Sequence, residues 1–327
     1  MVKEKVTSER DAENMAKTWQ KVAGITTALA ATSLAGILAG TAAVYHVGMK
    51  SYAKGRQKSR QRSIAENSAE DNAWYLMQQP REWQITSQDG LRLRASFLNN
   101  DQQVHNRVAI VAHGLGHSRE QMVPYARMFE AQGYSVLMPD ARAHGESEGN
   151  TIGYGWLDRH DYQQWIQKVI ELRGNDVQIV LMGISMGAAT VLATAGEDLP
   201  ANVKAVIADS GYASIYSEAR FRLHHKYHVP ARPTMNLANQ YSRLDAGYRL
   251  KDGNIAEQVR HTQLPIFFIQ GAQDQTVPIE NLDILYQAAG GPKQKYRHPD
   301  AQHVMTRAAD PDRYDQKVAA FLTPYVH

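Results

Sequence analysis

From Trp74 onward, short apolar runs alternate with longer stretches of helical periodicity. The runs are Val108–Ala112, Tyr134–Met138, Val177–Met182, Val203–Ala208 and Pro265–Gln270. Between them lie Arg119–Gln132, Trp156–Leu172, Met186–Gly196 and Pro278–Ala289, each with apolar positions spaced for one helix face. Strands that are apolar throughout, not at every second residue, are buried on both faces, as in a parallel sheet covered by helices. The predicted fold class is therefore α/β, with a mostly parallel, doubly wound sheet. Arg81–Thr86 and Leu91–Leu98 flank Gln88-Asp89-Gly90, which predicts an N-terminal antiparallel hairpin with an Asp-Gly turn. Residues Tyr212–His261 break the rhythm, lacking a compact apolar strand, and predict a helical cap inserted over the strand ends.

A different pattern precedes this domain. Val22–Met49 carries no formally charged residue over 28 positions. At a rise of about 1.5 Å per residue, roughly 20 helical residues cross a hydrocarbon core. The expectation is a retained single-pass membrane helix at 22–49, in contact with lipid, after a polar leader at 1–21. A cleaved signal fits less well, because the leader is long and no small-x-small site follows. Gly36 and Gly40 match the small-xxx-small spacing of packed membrane helices. Residues 50–73 form a basic juxtamembrane linker containing Lys50, Lys54, Arg56, Lys58, Arg60 and Arg62, which suit anionic headgroups or a solvated helix face equally. Their excess over Arg10, Lys17 and Lys21 places the 74–327 domain on the cytoplasmic side by the positive-inside bias.

Composition narrows the chemistry. Among 327 residues, 36 Lys and Arg stand against 33 Asp and Glu, so no basic face suits nucleic acid as the partner. The absence of cysteine excludes a thiol nucleophile, thiolate metal sites and disulfides. His224, His225 and His228 have metal-ligand chemistry but no carboxylate nearby to complete a set, and read as a basic cap segment. No metal or other cofactor is expected.

Gly183-Ile184-Ser185-Met186-Gly187 lies directly after one strand and before one helix. In that setting the sequence is a strained turn that exposes a serine hydroxyl at a strand's carboxyl end. Serine needs a base, and the base an orienting acid. Asp274 follows the strand Pro265–Gln270, and His303 follows a short strand at Lys295–His298, so both come to the same sheet edge as Ser185. Asp209, ending the preceding strand, is the rival acid. Two backbone N–H groups are needed for an oxyanion: Met186 after the nucleophile, and Leu115 in His113-Gly114-Leu115-Gly116. His113 reads as a loop residue packed on the nucleophile turn, not as a base.

From about Trp83 to Val326 the chain resembles the α/β-hydrolase superfamily. The resemblance rests on His113-Gly114, Asp140-Ala141-Arg142-Ala143-His144-Gly145-Glu146-Ser147, Gly183-Ile184-Ser185-Met186-Gly187, Asp274 and His303. It implies Ser185 as nucleophile, His303 as base, Asp274 as orienting acid, and Leu115 and Met186 as oxyanion donors. Within the superfamily the chain is similar to membrane-anchored bacterial hydrolases of the serine aminopeptidase-like and esterase-like groups. Relatives of that kind often work outside the cell, against the charge bias, so the side of the membrane stays open. Ala143 stands where the family carries glycine. The expected activity is cleavage of carboxylic esters through an acyl-enzyme, with a serine-aminopeptidase-like peptidase or amidase, or a non-catalytic binding protein on this fold, as alternatives. Small-molecule or peptide acyl compounds are the expected substrates.

Overall fold

The computed structural model describes residues 34–50, 53–101, 106–225 and 231–327. Contacts divide the described residues into two compact units, one formed by those from Leu34 to Lys50 with those of Ile215–Gly253, the other by those of Ser51–Ser214 with those of Asn254–His327.

The larger unit is built on an eight-stranded sheet: β1 (Arg81–Thr86), β2 (Arg92–Leu98), β3 (Arg107–Ala112), β4 (Ser135–Pro139), β5 (Gln178–Ile184), β6 (Val203–Asp209), β7 (Ile266–Gly271) and β8 (Lys293–His298). Its spatial order is β1-β2-β4-β3-β5-β6-β7-β8. β1–β2 and β2–β4 pair antiparallel, and every pairing from β4 through β8 is parallel. The continuously apolar runs end up where that composition requires: β4 and β7 are buried at every position, whereas β1 and the edge strand β8 alternate with solvent. One core layer joins Val111, Met138, Met182 and Ile207 of the sheet to Phe129, Tyr314 and Phe321 of the covering helices. Burying each such large side chain contributes roughly 1.5–3 kcal/mol.

The basic segment 50–73 is largely helical. It folds into α2 (Ala53–Glu66) and the start of α3 (Ala69–Met77), both docked on the larger unit. The Arg60 guanidinium bonds Glu120 at 2.7 Å and Glu146 at 2.9 Å, and Arg56 donates to the Gly149 carbonyl. Ser63 accepts from the Ser118 N–H, and Glu66 meets His117 Nε2 at 2.9 Å. α3 is capped by Ser68, which accepts from the Asp71 N–H, and is held by Arg127 on Glu70 and Asp71.

In the smaller unit, α1 (Leu34–Met49) packs on α8 (Ala231–Ala246), with α7 (Ile215–His225) beside α8. The Tyr45 ring packs against that of Tyr241 at a tilt of 60°, and its hydroxyl donates to Asp245, which also pairs with Lys50 at 2.5 Å. Of the expected membrane helix, residues 22–33 lie outside the described residues, and the rest is a 16-residue helix. Among the described residues no helix is long and apolar enough to cross a membrane. The membrane helix expected from the charge-free run therefore has no counterpart there: Val44, Tyr45 and Met49 are buried. The cap expected at Tyr212–His261 is narrower as a compact unit, because α9 (Ile255–His261) groups with the larger one.

Candidate active site

Ser185 joins β5 to α6 (Met186–Ala195) with φ 54° and ψ −114°, a left-handed backbone that a residue with a Cβ adopts only under constraint. Three constraints impose it. The Ser185 N–H donates to the Asp209 carbonyl at 2.8 Å, and the Ser185 carbonyl accepts from Ala189, beginning the helix. A Cβ on Gly183 would meet the Gly187 carbonyl oxygen at 2.1 Å, and one on Gly187 would meet the Ala112 carbonyl oxygen at 2.1 Å. Both glycines exist so that β5, the turn, α6 and the end of β3 can close on one another. Gly187→Ala is expected to destabilise the fold by about 3 kcal/mol, the upper range for forced overpacking. A urea midpoint unchanged from wild type would refute that account.

His303 lies in the loop after β8. Its Nε2 accepts from the Ser185 hydroxyl at 2.9 Å, and its Nδ1 donates to Asp274 Oδ2 at 2.7 Å. The Asp274 carboxylate is enclosed, with four donors on its two oxygens: Thr276 and Val277 N–H on Oδ1, and Gln270 Nε2 and His303 on Oδ2. That set fixes the carboxylate plane and leaves the lone pair on His303 Nε2 facing the serine. The acid and histidine loops are stitched together by the Gln273 N–H on the Ala301 carbonyl. Gln270 went unnoticed in the sequence; the available signal was a polar residue at the end of an otherwise apolar run.

Asp209 is not hydrogen-bonded to the imidazole. It is fully buried, accepts from the Ser210 hydroxyl at 2.8 Å and the Tyr314 hydroxyl at 3.0 Å, and has no cation beside it. Burial pushes its carboxyl up to about 6, against the pull of those two hydrogen bonds. Ser210 Oγ in turn accepts from the Val304 N–H at 3.2 Å, so this buried group reaches the residue next to His303. Val304 itself sits at φ 60°, a strained position for a β-branched side chain. The unfolded chain releases the Asp209 proton near 3.8 and the folded chain near 6, so this group's contribution to stability falls as pH rises through that window. Relative to wild type, Asp209→Asn is expected to gain about 2 kcal/mol between about pH 4 and pH 7, read from urea midpoints.

The loop after β3 comes beside the serine: a Cβ on Gly114 would lie 3.6 Å from Ser185 Cβ. Among the described residues, neither the Leu115 nor the Met186 N–H has a hydrogen-bond partner. His113 accepts from the Ala141 N–H at Nε2 and donates from Nδ1 to the Gly114 carbonyl, so both ring nitrogens are used. Burial holds its pKa well below the ordinary histidine value, which keeps it neutral. His144 behaves alike, bonding the Arg142 carbonyl and accepting from the Gly116 N–H at 3.3 Å. Ala143 adopts φ 60° and is completely buried, so alanine holds the left-handed position itself, at a strain cost of about 1 kcal/mol.

A concavity of about 530 Å³ between β1, α5 (Asp158–Arg173) and residues 198–200 contains none of these groups. Among the described residues no cluster of His, Asp or Glu could hold a metal ion.

The sheet order and the strand-turn-helix at Ser185 have the architecture of the α/β-hydrolase fold. The family model for serine aminopeptidase, S33, matches residues 103–244, which contain Ser185 but stop short of Asp274 and His303. The uncharacterized protein YqkD of Bacillus subtilis is 29% identical over 217 residues, spanning 65% of this chain and 70% of its own. Among solved structures, the esterase Pf2001 of Pyrococcus furiosus superposes with a TM-score of 0.64 at 22% identity, over 80% of this chain and 96% of that one. The acylaminoacyl peptidase of Pyrococcus horikoshii gives 0.57 at 14% identity, over 76% and 41%. At those identities the two structures share the fold alone.

Proposed function

We propose that the chain is a serine hydrolase cleaving carboxylic esters through an acyl-enzyme, with Ser185 as nucleophile, His303 as general base and Asp274 as orienting acid. The observation that carries this reading is the unbroken line of hydrogen bonds from Asp274 through His303 to the Ser185 hydroxyl. His303 takes the serine proton as Oγ attacks the acyl carbon. The imidazolium so formed is stabilised by Asp274, and the unengaged N–H groups of Leu115 and Met186 receive the oxyanion. The tetrahedral species collapses when His303 returns the proton to the leaving alcohol, leaving Ser185 acylated. Water, deprotonated by His303, repeats the sequence and releases the acid.

A fluorophosphonate probe is expected to label the wild type and spare Ser185→Ala. Equal labelling of the two would remove Ser185 from the mechanism, and no labelling of folded wild type would point to a binding protein on this fold. The second reading, a peptidase or amidase, draws on the serine aminopeptidase match. Comparing p-nitrophenyl esters with aminoacyl p-nitroanilides separates them; the expected kcat/KM favours the esters, and a preference for anilides would transfer the assignment. Membrane attachment through residues 22–49 belongs to the proposal on the charge-free run alone, and retention of the full chain in membranes after carbonate washing is its test.

A further inference from the structure

The smaller unit contains a pocket of about 270 Å³ that the hydrolytic chemistry does not use, lined by Tyr216, Arg220, Arg232, Asn236 and Lys251. Three of the five are cations, and among the described residues no carboxylate lines it. The insertion's acidic residues are spent elsewhere: Glu218 on Arg222, Asp245 on Lys50 and the Tyr45 hydroxyl, and Asp252 on the Arg249 N–H. Among the described residues none of Arg220, Arg232 and Lys251 has a carboxylate partner, so three like charges gather around one small space without compensation. All three are solvent-exposed, and an anion between them is attracted by each, the more so at low salt.

The local chain sets these groups in place. Arg232 precedes Pro233, which bars it from helical angles, and it takes φ −111° and ψ 134°. The Lys251 ammonium lies 4.9 Å from the Tyr216 ring centre, an attraction that holds it at the pocket, and its own N–H is fixed by Asn239 Oδ1. The Tyr216 hydroxyl donates to Asn236 Oδ1 at 3.4 Å, which leaves the Asn236 amide hydrogens for a ligand. Two guanidiniums, an ammonium and an amide present donors only. Their charge exceeds that of a single carboxylate and matches a phosphate group with its several acceptor oxygens. The volume falls below the roughly 300–1,000 Å³ of pockets for drug-sized ligands, in keeping with a headgroup-sized occupant.

We propose that Arg220, Arg232, Lys251 and Asn236 form a binding site for a phosphate monoester group, presented by a soluble metabolite or by an anionic lipid. The site stands independently of the hydrolytic reading. The full chain is titrated with glycerol 3-phosphate by calorimetry, and is floated with phosphatidylcholine vesicles with or without phosphatidic acid. The comparison protein carries Arg220→Gln, Arg232→Gln and Lys251→Gln together, with circular dichroism and melting temperature as checks on folding. Wild type is expected to bind at least one probe saturably and more weakly as salt rises, with at least a tenfold loss in the triple variant. Loss of glycerol 3-phosphate binding identifies a soluble ester as the source; a loss confined to the phosphatidic acid increment identifies a lipid headgroup. If the triple variant melts lower than wild type, Arg220→Gln and Lys251→Gln are compared singly, each with an expected threefold loss. Absence of binding to both probes, or binding that the substitutions leave unchanged, overturns the proposal.

Discussion

Ser185→Ala is expected to lower kcat by about a million-fold while the protein stays folded and binds substrate as before. The hydroxyl is the proposed nucleophile, and its oxygen is already 2.9 Å from the nitrogen proposed to take its proton. Removing one oxygen from a partly filled site costs little packing, so the melting temperature should hardly move. His303→Ala should cost nearly as much, and the double variant no more than either single one, because the two groups act as one device. Residual turnover would come from the Leu115 and Met186 amides, which neither substitution touches. Single-turnover kinetics on a chromogenic ester checks all three variants. Losses that multiply in the double variant would break the assignment of a shared proton transfer.

Asp274→Asn should lower kcat by about ten-thousand-fold with KM nearly unchanged. The amide keeps the shape but can present its nitrogen to His303, which turns the ring's proton toward the serine and leaves no base there. Four donors converge on the present carboxylate, so an amide also sets an N–H against at least one of them. Asp209→Asn is the internal comparison. Its carboxylate meets Ser210 and Tyr314, not the imidazole, and the expected loss is less than about a hundredfold, transmitted through the Ser210 bond to Val304. Equal losses at the two positions would mean that the acid role is shared.

What was legible in the sequence was whatever local chemistry decides. The buried strands announce themselves because a strand covered on both faces has little place for polar residues, and in β3 through β7 these are confined to positions near the strand ends. The turn at Ser185 is legible because two glycines at fixed spacing answer a backbone crowding that any larger residue would violate. The convergence of Ser185, Asp274 and His303 follows from strand direction, since β5, β7 and β8 run parallel and end at one edge. Pairings between distant charges were not legible. Arg60 finds Glu120 and Glu146 across 60 and 86 positions, and a run of basic residues gives no sign of which carboxylates it will meet. Nor was the buried Asp209 group, whose three members carry no spacing rule.

The docking of α2 and α3 determines where the chain can be cut. A fragment beginning near Trp74 would leave Glu120 without Arg60, His117 without Glu66 and the Ser118 N–H without Ser63. His117 also bonds the Leu115 carbonyl at 3.1 Å, so the uncovered side chain would be tied to the residue whose N–H the proposed reaction depends on. Shortening from the amino end is thus an operation on the unit that carries the proposed site, and a minimal chain that keeps the proposed activity should start ahead of Ala53.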